Sequence, residues 1–266
     1  MQILSVEEFY AGLDDYARRV DPTWDEESWA TQVEAEKEIL GRVLGRGDGR
    51  TVLDCSCGAG RQAVPLAQLR WRATASDVTA TSLDVARQRA REAGVSIAFQ
   101  LCDMRELESC FTTAFDWVIS CWALDNITAD DGIQRAIGGM FAVLKPGGRC
   151  YIRLTDFDNI MADRPRYEFR EERRLPHGRV IRLQDWIYES ETHAVCVYVY
   201  LHEDNRRPGY AWTTDIFAFR RRALRKTELA AFLQAAGFQQ LEFLPQPSPW
   251  HPYEVVAVRP SCQNEG

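Results

Sequence analysis

The first 155 residues alternate between short apolar runs and segments of helical composition. The apolar runs predict five buried strands, at 51–55, 73–77, 96–101, 115–121 and 149–155. The segments between them predict helices, at 61–69, 82–93 and 130–144, the last of which leads into the turn sequence LKPGG. Because strands that alternate with helices form parallel sheets covered on both faces, the sequence predicts a doubly wound α/β domain.

The pattern changes after this domain. Long aromatic and β-branched runs, joined by turn sequences such as HEDNRRPG, are typical of an antiparallel meander and occupy 179–188, 193–202 and 210–220. A helix follows Thr227 and ends at Gly237, and two final strands are predicted at 240–244 and 254–258. We therefore predict an α/β fold with a doubly wound, Rossmann-like, seven-stranded sheet and an antiparallel β lid inserted after strand five.

This fold divides the chain into three parts. Residues 1–155 contain an N-terminal cap and the ligand-binding α/β core, residues 156–222 the antiparallel insertion, and residues 223–266 the helix and strands that complete the core sheet. The insertion follows strand five directly, so we interpret it as a lid and acceptor-binding wall. A dimerisation surface is the alternative interpretation.

Charge and composition narrow the classes of partner. The formal net charge of −7 over 266 residues disfavours an extended polyanion as partner, so the basic run RRRALRK at 220–226 is interpreted as a strand-to-helix junction rather than an RNA or phosphate site. The first residues do not resemble a signal peptide, and no apolar stretch is long enough to span a bilayer. We expect a soluble, cytoplasmic protein that binds a small molecule and has the potential to form a homo-oligomer.

The eight cysteines are expected to be reduced thiols. Several lie in or beside apolar strand candidates, where cysteine acts as a small buried hydrophobe. Cys55 and Cys57 are too close together for the usual metal-binding spacing, and the four histidines form no close pair. The sequence therefore predicts no metal site.

Chemistry is expected at the carboxyl ends of the strands, where α/β sheets bind ligands. In the stretch VLDCSCGAG, Gly58 and Gly60 allow the backbone to approach a ligand closely. Asp77 ends the second strand and can accept hydrogen bonds from ribose hydroxyls. After the third strand, Asp103 offers a hydrogen-bond acceptor and Met104 an apolar wall for a purine. Ser120 and Cys121 end the fourth strand and are further candidates to line the ligand.

For a fold with this glycine-containing loop, a nicotinamide-dependent dehydrogenase is the alternative class of protein. Its fingerprint places a third glycine where this chain has Ala63, a position that tolerates alanine in some such enzymes. The stronger objection is Asp54, because a carboxylate at the strand end repels pyrophosphate but accepts a cationic ligand.

With these motifs, the chain resembles the class I S-adenosylmethionine (SAM)-dependent methyltransferases. The resemblance rests on the sequences VLDCSCGAG, SDVTATSLDVAR, CDMREL and LKPGG. Within that class it is most similar to the glycine/sarcosine N-methyltransferase group, through FYAGLDDY…PTW, CWALDNI, TDFDNIMADRP, RVIRLQDWIY and RRALRKTELAAFLQAAGF. The resemblance implies SAM as cofactor and covers nearly the whole chain.

The resemblance also implies roles for individual residues. Those expected to hold SAM are Tyr16, Trp24, Ser56, Gly58, Gly60, Asp77, Val78, Asp103, Met104, Ser120 and Cys121. Those expected to bind the acceptor are Tyr10, Trp122, Arg153, Thr155 and Tyr210. For Arg153 the alternative interpretation is an ordinary salt-bridged arginine. Trp122 and Thr155 replace two polar positions that hold the substrate carboxylate in glycine-methylating members, so we expect an acceptor other than glycine.

Transfer of a methyl group to nitrogen or oxygen requires loss of a proton, for which a carboxylate or tyrosine is suitable. The candidates are Asp125, Asp156 and Tyr188, with Asp158 and Tyr210 as further possibilities. The alternative function is a catalytically silent SAM-binding protein that regulates a partner. Such a protein would bind the cofactor without methylating an acceptor.

Overall fold

The computed structural model describes residues 2–6, 8–9, 12, 24–175, 177–206, 211–248 and 251–261, with only the backbone described for 24–28 and 211. The chain forms two compact units. One consists of Met1–Asp25 and Phe157–Ala223, and the other of Glu26–Asp156 and Leu224–Gly266. The predicted division at residues 155 and 222 stays a prediction.

The larger unit is built on a seven-stranded sheet. Its strands follow the order β10-β11-β5-β4-β1-β2-β3, and β11 pairs antiparallel with both of its neighbours. The strands are β1 (Thr51–Asp54), β2 (Arg72–Asp77), β3 (Ala98–Leu101), β4 (Phe115–Cys121), β5 (Leu144–Leu154), β10 (Gln239–Phe243) and β11 (Tyr253–Val258). Strand order reverses between β1 and β4, which is the position where doubly wound sheets bind ligands.

Helices cover both faces of this sheet. They are α1 (Trp24–Val43), α2 (Ala63–Gln68), α3 (Ala80–Glu92), α4 (Leu107–Cys110), α5 (Asp130–Ala142) and α7 (Lys226–Ala235). On one face Leu40 of α1 packs with Ile119 and Tyr151. On the other, Ile137 of α5 and Leu229 of α7 pack with other strand residues. Alternating strand side chains thus enter two separate cores, which explains the nearly continuous apolar composition of the central strands.

The smaller unit contains a four-stranded antiparallel sheet in the order β6-β7-β8-β9. Its strands are β6 (Tyr167–Leu175), β7 (Gly178–Tyr188), β8 (His193–Asp204) and β9 (Ala211–Arg222), preceded by α6 (Phe157–Asp163). One face of the sheet packs on Phe9 and on Phe157 of α6, with Trp186 and Phe219 among the buried residues. The predicted fold, an α/β sheet with an antiparallel sheet after strand five, is confirmed.

Some boundaries differ from the prediction. Strand β5 begins at Leu144 rather than after LKPGG, because the turn-like residues form an irregular section of the strand in which Gly147 has φ of +77°. Helices α1, α4 and α6 and strand β6 were not predicted.

The expectation that all cysteines are reduced thiols is wrong for one pair. Cys102 and Cys110 form a disulfide with their Cα atoms 6.2 Å apart. The short turn from Met104 to Cys110 folds back and brings the two sulfur atoms together, which residue spacing alone does not reveal. The five cysteines described as free, Cys55, Cys57, Cys121, Cys150 and Cys196, are buried. Burial was predicted for those in strand candidates, which do not include Cys57.

Within the described part of the chain, no helix has the length and apolar character needed to cross a membrane.

Candidate functional site

The loop after β1 is organised by the carboxylate that ends β2. The backbone N–H of Gly58 donates to Asp77 Oδ2 at 2.8 Å, and that of Thr79 donates to Oδ1 at 2.9 Å. Gly58 and Gly60 have φ of +49° and +91°, a region that favours glycine. A Cβ on Gly60 would lie 3.2 Å from the Ala86 Cβ, whereas Gly58 faces open space. Gly60 therefore allows close packing on α3, and Gly58 leaves room beside Asp77.

Asp54 is a buried carboxyl group at the end of β1. Its Oδ1 accepts a long hydrogen bond from the Ser56 N–H at 3.4 Å, and its Oδ2 has no hydrogen-bond partner among the described residues. Burial, aided by the nearby carboxylates of Asp77 and Glu36, raises the pKa of Asp54 to about 7. The group is thus suited to a cationic or hydrogen-bond-donating ligand, which would supply the interaction that its burial removes.

The end of β3 contributes the predicted pair Asp103 and Met104. Asp103 caps a short 3₁₀ helix, accepting the Arg105 N–H at 2.8 Å and its guanidinium Nε at 2.9 Å. Burial alone would raise the pKa of Asp103, but these hydrogen bonds outweigh it and lower the pKa. Met104 is buried in the apolar core beside Leu107. The carboxylate is therefore held in place and ionised at neutral pH.

The end of β4 lies next to that of β1. The hydroxyls of Ser56 and Ser120 are 3.2 Å apart. Cys121 is buried, and this burial raises the pKa of its thiol to about 12, so the side chain is a neutral hydrophobe rather than a nucleophile. Trp122 follows with φ of +63°, which is unusual for a bulky residue. Its indole N–H is buried and has no hydrogen-bond partner among the described residues.

Arg153 on β5 is held in an ion pair. Its guanidinium contacts both carboxylate oxygens of Glu36 on α1 at 2.5 Å, and it lies 3.9 Å from Glu254. Both members of the Arg153–Glu36 pair are buried. The guanidinium also lies over the Trp122 ring, 5.4 Å from its centroid. The positive charge of Arg153 is thus already balanced within the protein.

The candidate bases occupy different surroundings. Asp125 is fully buried in the 3₁₀ turn after β4. Asp156, just after β5, is buried and accepts the Gln246 amide at 2.9 Å, with Lys226 Nζ at 3.4 Å. In the smaller unit, Tyr188 donates to the Pro165 carbonyl at 2.7 Å, and burial raises its pKa to about 12. Their catalytic roles stay predictions.

The structure brings only part of the predicted set together. The ends of the adjacent strands β3, β2, β1 and β4 hold, in spatial order, Asp103, Asp77, Asp54 and Ser120. Val78 is exposed beside Asp77, and Thr155 is half-buried after β5. Tyr10, Tyr16 and Tyr210 lie outside the described residues, and of Trp24 only the backbone is described, at the start of α1.

Three polar side chains at this edge, those of Glu36, Lys226 and Gln246, were not predicted. Glu36 neutralises Arg153 across 117 residues of sequence, and Lys226 and Gln246 surround Asp156. Gln246 also accepts a hydrogen bond from Lys226 at 2.6 Å and donates to the His251 carbonyl at 2.8 Å. The one sequence signal for Glu36 was its position as an acidic residue in the middle of α1. No sequence signal marked Gln246 in the β10–β11 loop.

Solved structures of other proteins share this architecture. Among solved structures, the amino pentose methyltransferase CalS10 from Micromonospora echinaspora is similar over 97% of this chain and 99% of its own, with a TM-score of 0.67 and 18% identity. DesVI from Streptomyces venezuelae is similar over 98% of this chain and 100% of its own, with a TM-score of 0.68 and 17% identity. At this identity the likeness shows the fold alone.

The sequence comparisons match a segment of the chain rather than its whole length. Residues 52–148 match the family model of a methyltransferase domain. The ubiquinone biosynthesis O-methyltransferase of Methylocella silvestris is 36% identical over 101 residues, which are 38% of each chain. That of Bordetella avium is 29% identical over 142 residues, or 52% of this chain and 58% of its own. The chain thus spans about two to three fifths of these curated relatives. The predicted resemblance to methyltransferases holds over residues 52–148.

Proposed function

We propose that this protein is a SAM-dependent methyltransferase that methylates nitrogen or oxygen of a small-molecule acceptor. The observation that carries the proposal is the row of ligand-suited groups on the adjacent ends of β3, β2, β1 and β4, within a segment that matches a methyltransferase domain. Two solved neighbours support the cofactor: CalS10 is described as SAM-bound and the glycopeptide N-methyltransferase MtfA as complexed with S-adenosylhomocysteine.

The side chains present fit this cofactor. Asp54 offers a buried oxygen that lacks a hydrogen-bond partner among the described residues, suited to the ammonium group of SAM. Gly58 leaves open space beside the Asp77 carboxylate, which would accept hydrogen bonds from ribose hydroxyls. Met104 would contact the adenine with the small part of its side chain that is exposed (8%), and Asp103 would accept a hydrogen bond from the adenine amino group.

The chain itself would contribute positioning and proton transfer. When bound, SAM supplies an electrophilic methyl carbon on a positively charged sulfur. The rigid strand ends would orient the acceptor, which provides much of the rate enhancement in a displacement of this kind. A carboxylate would accept the proton that the acceptor loses. We propose Asp125 or Asp156 for this role rather than Tyr188, because the raised pKa and the hydrogen bond to a carbonyl keep that phenol protonated.

The acceptor is proposed to be a molecule other than glycine. Arg153 was the cation predicted to bind the acceptor. Its Nη2 lies 2.5 Å from both carboxylate oxygens of Glu36, which leaves little charge to hold a substrate carboxylate. Trp122 adds an aromatic surface nearby. The neighbours described as an amino pentose methyltransferase and a sugar N-methyltransferase suggest amino sugars as the first acceptors to test. The relatives described as ubiquinone biosynthesis O-methyltransferases suggest phenols. Membership of the glycine/sarcosine N-methyltransferase group remains part of this proposal only.

Calorimetric titration with SAM and S-adenosylhomocysteine tests the cofactor. We expect wild type to bind both, and Asp77→Asn to bind at least about 10-fold more weakly, because a charge-assisted hydrogen bond contributes about 1.5–3 kcal/mol. The matched control is Asp84→Asn, which removes an exposed carboxylate from α3 that pairs only locally with Arg87 at 2.8 Å. Absence of binding by folded wild type would refute the proposal.

A second experiment tests methyl transfer. Wild type is incubated with radiolabelled SAM and a panel of amino sugars and catechols, and labelled products are separated by chromatography. A labelled product that Asp77→Asn forms more slowly and Asp84→Asn forms normally is the expected result. Cofactor binding without any transfer to this panel would favour the silent binding protein, an alternative that the comparisons do not support.

A further inference from the structure

The disulfide between Cys102 and Cys110 encloses the turn that carries two of the proposed adenine contacts. Cys102 follows β3 directly, and Cys110 is the last residue of α4, eight positions later. Asp103 and Met104 lie between them, at the start of a 3₁₀ turn. We call residues 102–110 the disulfide loop. Its first half belongs to the ligand edge, and the covalent bond closes its second half onto the first.

Noncovalent contacts hold the two halves of this loop unequally. The first half is joined to β2, because the Cys102 N–H donates to the Asp77 carbonyl at 3.0 Å, and Met104 is buried. In the second half, α4 has four residues, of which Leu107 is the buried one. A helix of four residues is too short to be stable by itself. The disulfide is therefore the strongest link between the end of α4 and the ligand edge.

The conformation of the disulfide loop sets the position of the Asp103 carboxylate. Asp103 accepts hydrogen bonds from Arg105, and its carbonyl accepts the Glu106 N–H at 2.8 Å. These bonds lie within the loop and move with it. Glu106 also pairs with Arg135 on α5, but both side chains are exposed, and such pairs contribute little to stability. Loss of the crosslink therefore gives Asp103 and Met104 more conformations, which SAM binding must then restrict at a cost in binding free energy.

The two sulfur atoms differ in their access to a reductant. Cys110 is half-buried, whereas Cys102 is 4% exposed. The thiolate of a small thiol attacks the Cys110 sulfur, which forms a mixed disulfide and releases Cys102 as a thiolate that takes up a proton. A second small thiol then displaces Cys110 from the mixed disulfide. The protein disulfide has gained two electrons and two protons, the two small thiols have become a disulfide, and oxidation of the protein by that disulfide is the reverse.

The other described cysteines do not compete in this exchange. All five are buried, and burial raises the pKa of the thiols of Cys55, Cys57, Cys121 and Cys150. A buried thiol that stays protonated is a poor nucleophile. Cys262 lies outside the described residues, so it is replaced by serine in the experiments below. Among the described cysteines, the exchange is thus confined to the disulfide loop.

From this arrangement we propose that the Cys102–Cys110 pair is a redox switch on the cofactor site. In the oxidised protein the crosslink holds Asp103 and Met104 in the conformation that contacts adenine. In the reduced protein the end of α4 is released, and SAM binds more weakly. This inference rests on the proposed function, because it concerns the affinity for SAM. The co-reactants are small thiols and their disulfides.

Calorimetric titration with SAM tests the switch. The Cys262→Ser protein is titrated in its oxidised form, and again after reduction with dithiothreitol and removal of the reductant under argon. Coupling between two sites commonly changes affinity about 5- to 150-fold, and we expect reduction to weaken SAM binding at least about 5-fold. Adding Cys110→Ser should give the weaker affinity with or without reductant. The matched control is Ser109→Ala, an exposed neighbour in α4, which should keep both the affinity and the response to reduction.

A redox titration guards against a Cys110→Ser variant that fails to fold. The Cys262→Ser protein is equilibrated in glutathione buffers of stepped composition, with and without saturating SAM. The free thiols of Cys102 and Cys110 are then counted by alkylation and mass spectrometry. Because coupling between two binding equilibria is reciprocal, SAM should make the disulfide harder to reduce by the same factor by which reduction weakens SAM binding.

The outcomes separate this inference from the proposed function. Equal SAM affinity of the two forms, tighter binding by the reduced form, or a redox equilibrium that SAM does not shift overturns the switch and leaves the methyltransferase proposal standing. A pair that stays reduced in oxidised glutathione overturns the switch as well. Absence of SAM binding by both forms overturns both proposals.

Discussion

Replacing Asp54 with asparagine should stabilise the ligand-free protein at alkaline pH. In the folded protein, burial raises the pKa of Asp54 from 3.8 to about 7. Between these two values the unfolded chain has released the proton while the folded chain retains it, so wild type loses stability as pH rises. The stability that comes from retaining the Asp54 proton in the folded protein is fully present below pH 3.8. It is lost by the time the pH passes about 7. Asparagine has nearly the same shape and does not titrate.

The magnitude follows from the pKa shift. Each unit of pKa difference corresponds to about 1.4 kcal/mol, and the two units between pH 5 and the folded pKa of about 7 give about 3 kcal/mol. The stability of Asp54→Asn relative to wild type should therefore increase by about 3 kcal/mol from pH 5 to pH 8. The absolute offset at pH 5 depends on how asparagine fits the hydrogen bond from Ser56, so the change with pH is the quantity to compare.

Urea unfolding of the ligand-free protein, followed by far-UV circular dichroism at half-unit steps of pH, measures this difference. Asp84→Asn is the control, because Asp84 is exposed on α3 and its replacement should shift the curve equally at all pH values. A constant difference between Asp54→Asn and wild type from pH 5 to pH 8 would refute the reasoning. It would mean that water or a local rearrangement stabilises the carboxylate in the folded protein.

Three further changes test other parts of the structure. Gly60→Ala should lower the free energy of unfolding by about 1–2 kcal/mol or more, and Gly58→Ala by about 1 kcal/mol. Both positions need a positive φ, but only a side chain at Gly60 would also press against α3. Chemical denaturation of the two variants measures the difference. Cys110→Ser should lower the free energy of unfolding by about 2–3 kcal/mol, as expected for opening a loop of this length, and should abolish any effect of dithiothreitol on stability. Glu36→Gln should cost about 3–5 kcal/mol by leaving the buried Arg153 charge without its main partner, and the double variant Glu36→Leu/Arg153→Met should recover most of that loss in thermal melts.

The central strands were predictable because each buries both faces. Strand β4 was predicted at its exact bounds, and β1 and β2 to within one residue, since their apolar runs end at polar strand ends. Strand β6 was missed because its sequence, YEFREERRL, is mostly charged, and it forms an edge strand with much of its surface exposed. Helix α1 was missed because charged residues separate its few buried positions, such as Val33 and Leu40.

The candidate site was predictable only where neighbours in space follow from strand order. Asp77 and Gly58 belong to consecutive strand ends of a parallel pair, so their proximity was expected, and they share a hydrogen bond. Arg153 and Glu36 are joined by the packing of α1 on the sheet, which no local pattern encodes. The same holds for Gln246, which reaches Asp156 from a loop 90 residues later.

The charges at the ligand edge distinguish between the two cofactor classes that the fold accommodates. Asp54, Asp77 and Asp103 are carboxyl groups on three adjacent strand ends. Arg105 neutralises Asp103, whereas among the described residues no lysine or arginine forms an ion pair with Asp54 or Asp77. A pyrophosphate would bring two negative charges to this edge and would be repelled, whereas SAM brings a sulfonium and an ammonium group.

An ammonium group near Asp54 would stabilise its ionised form, so the pKa of Asp54 should fall on binding. Calorimetry at pH 6 in buffers of different ionisation enthalpy should then detect release of about one proton per SAM bound, and Asp54→Asn should eliminate that release while weakening binding. Proton uptake, or unchanged release in the variant, would place the ammonium group away from Asp54.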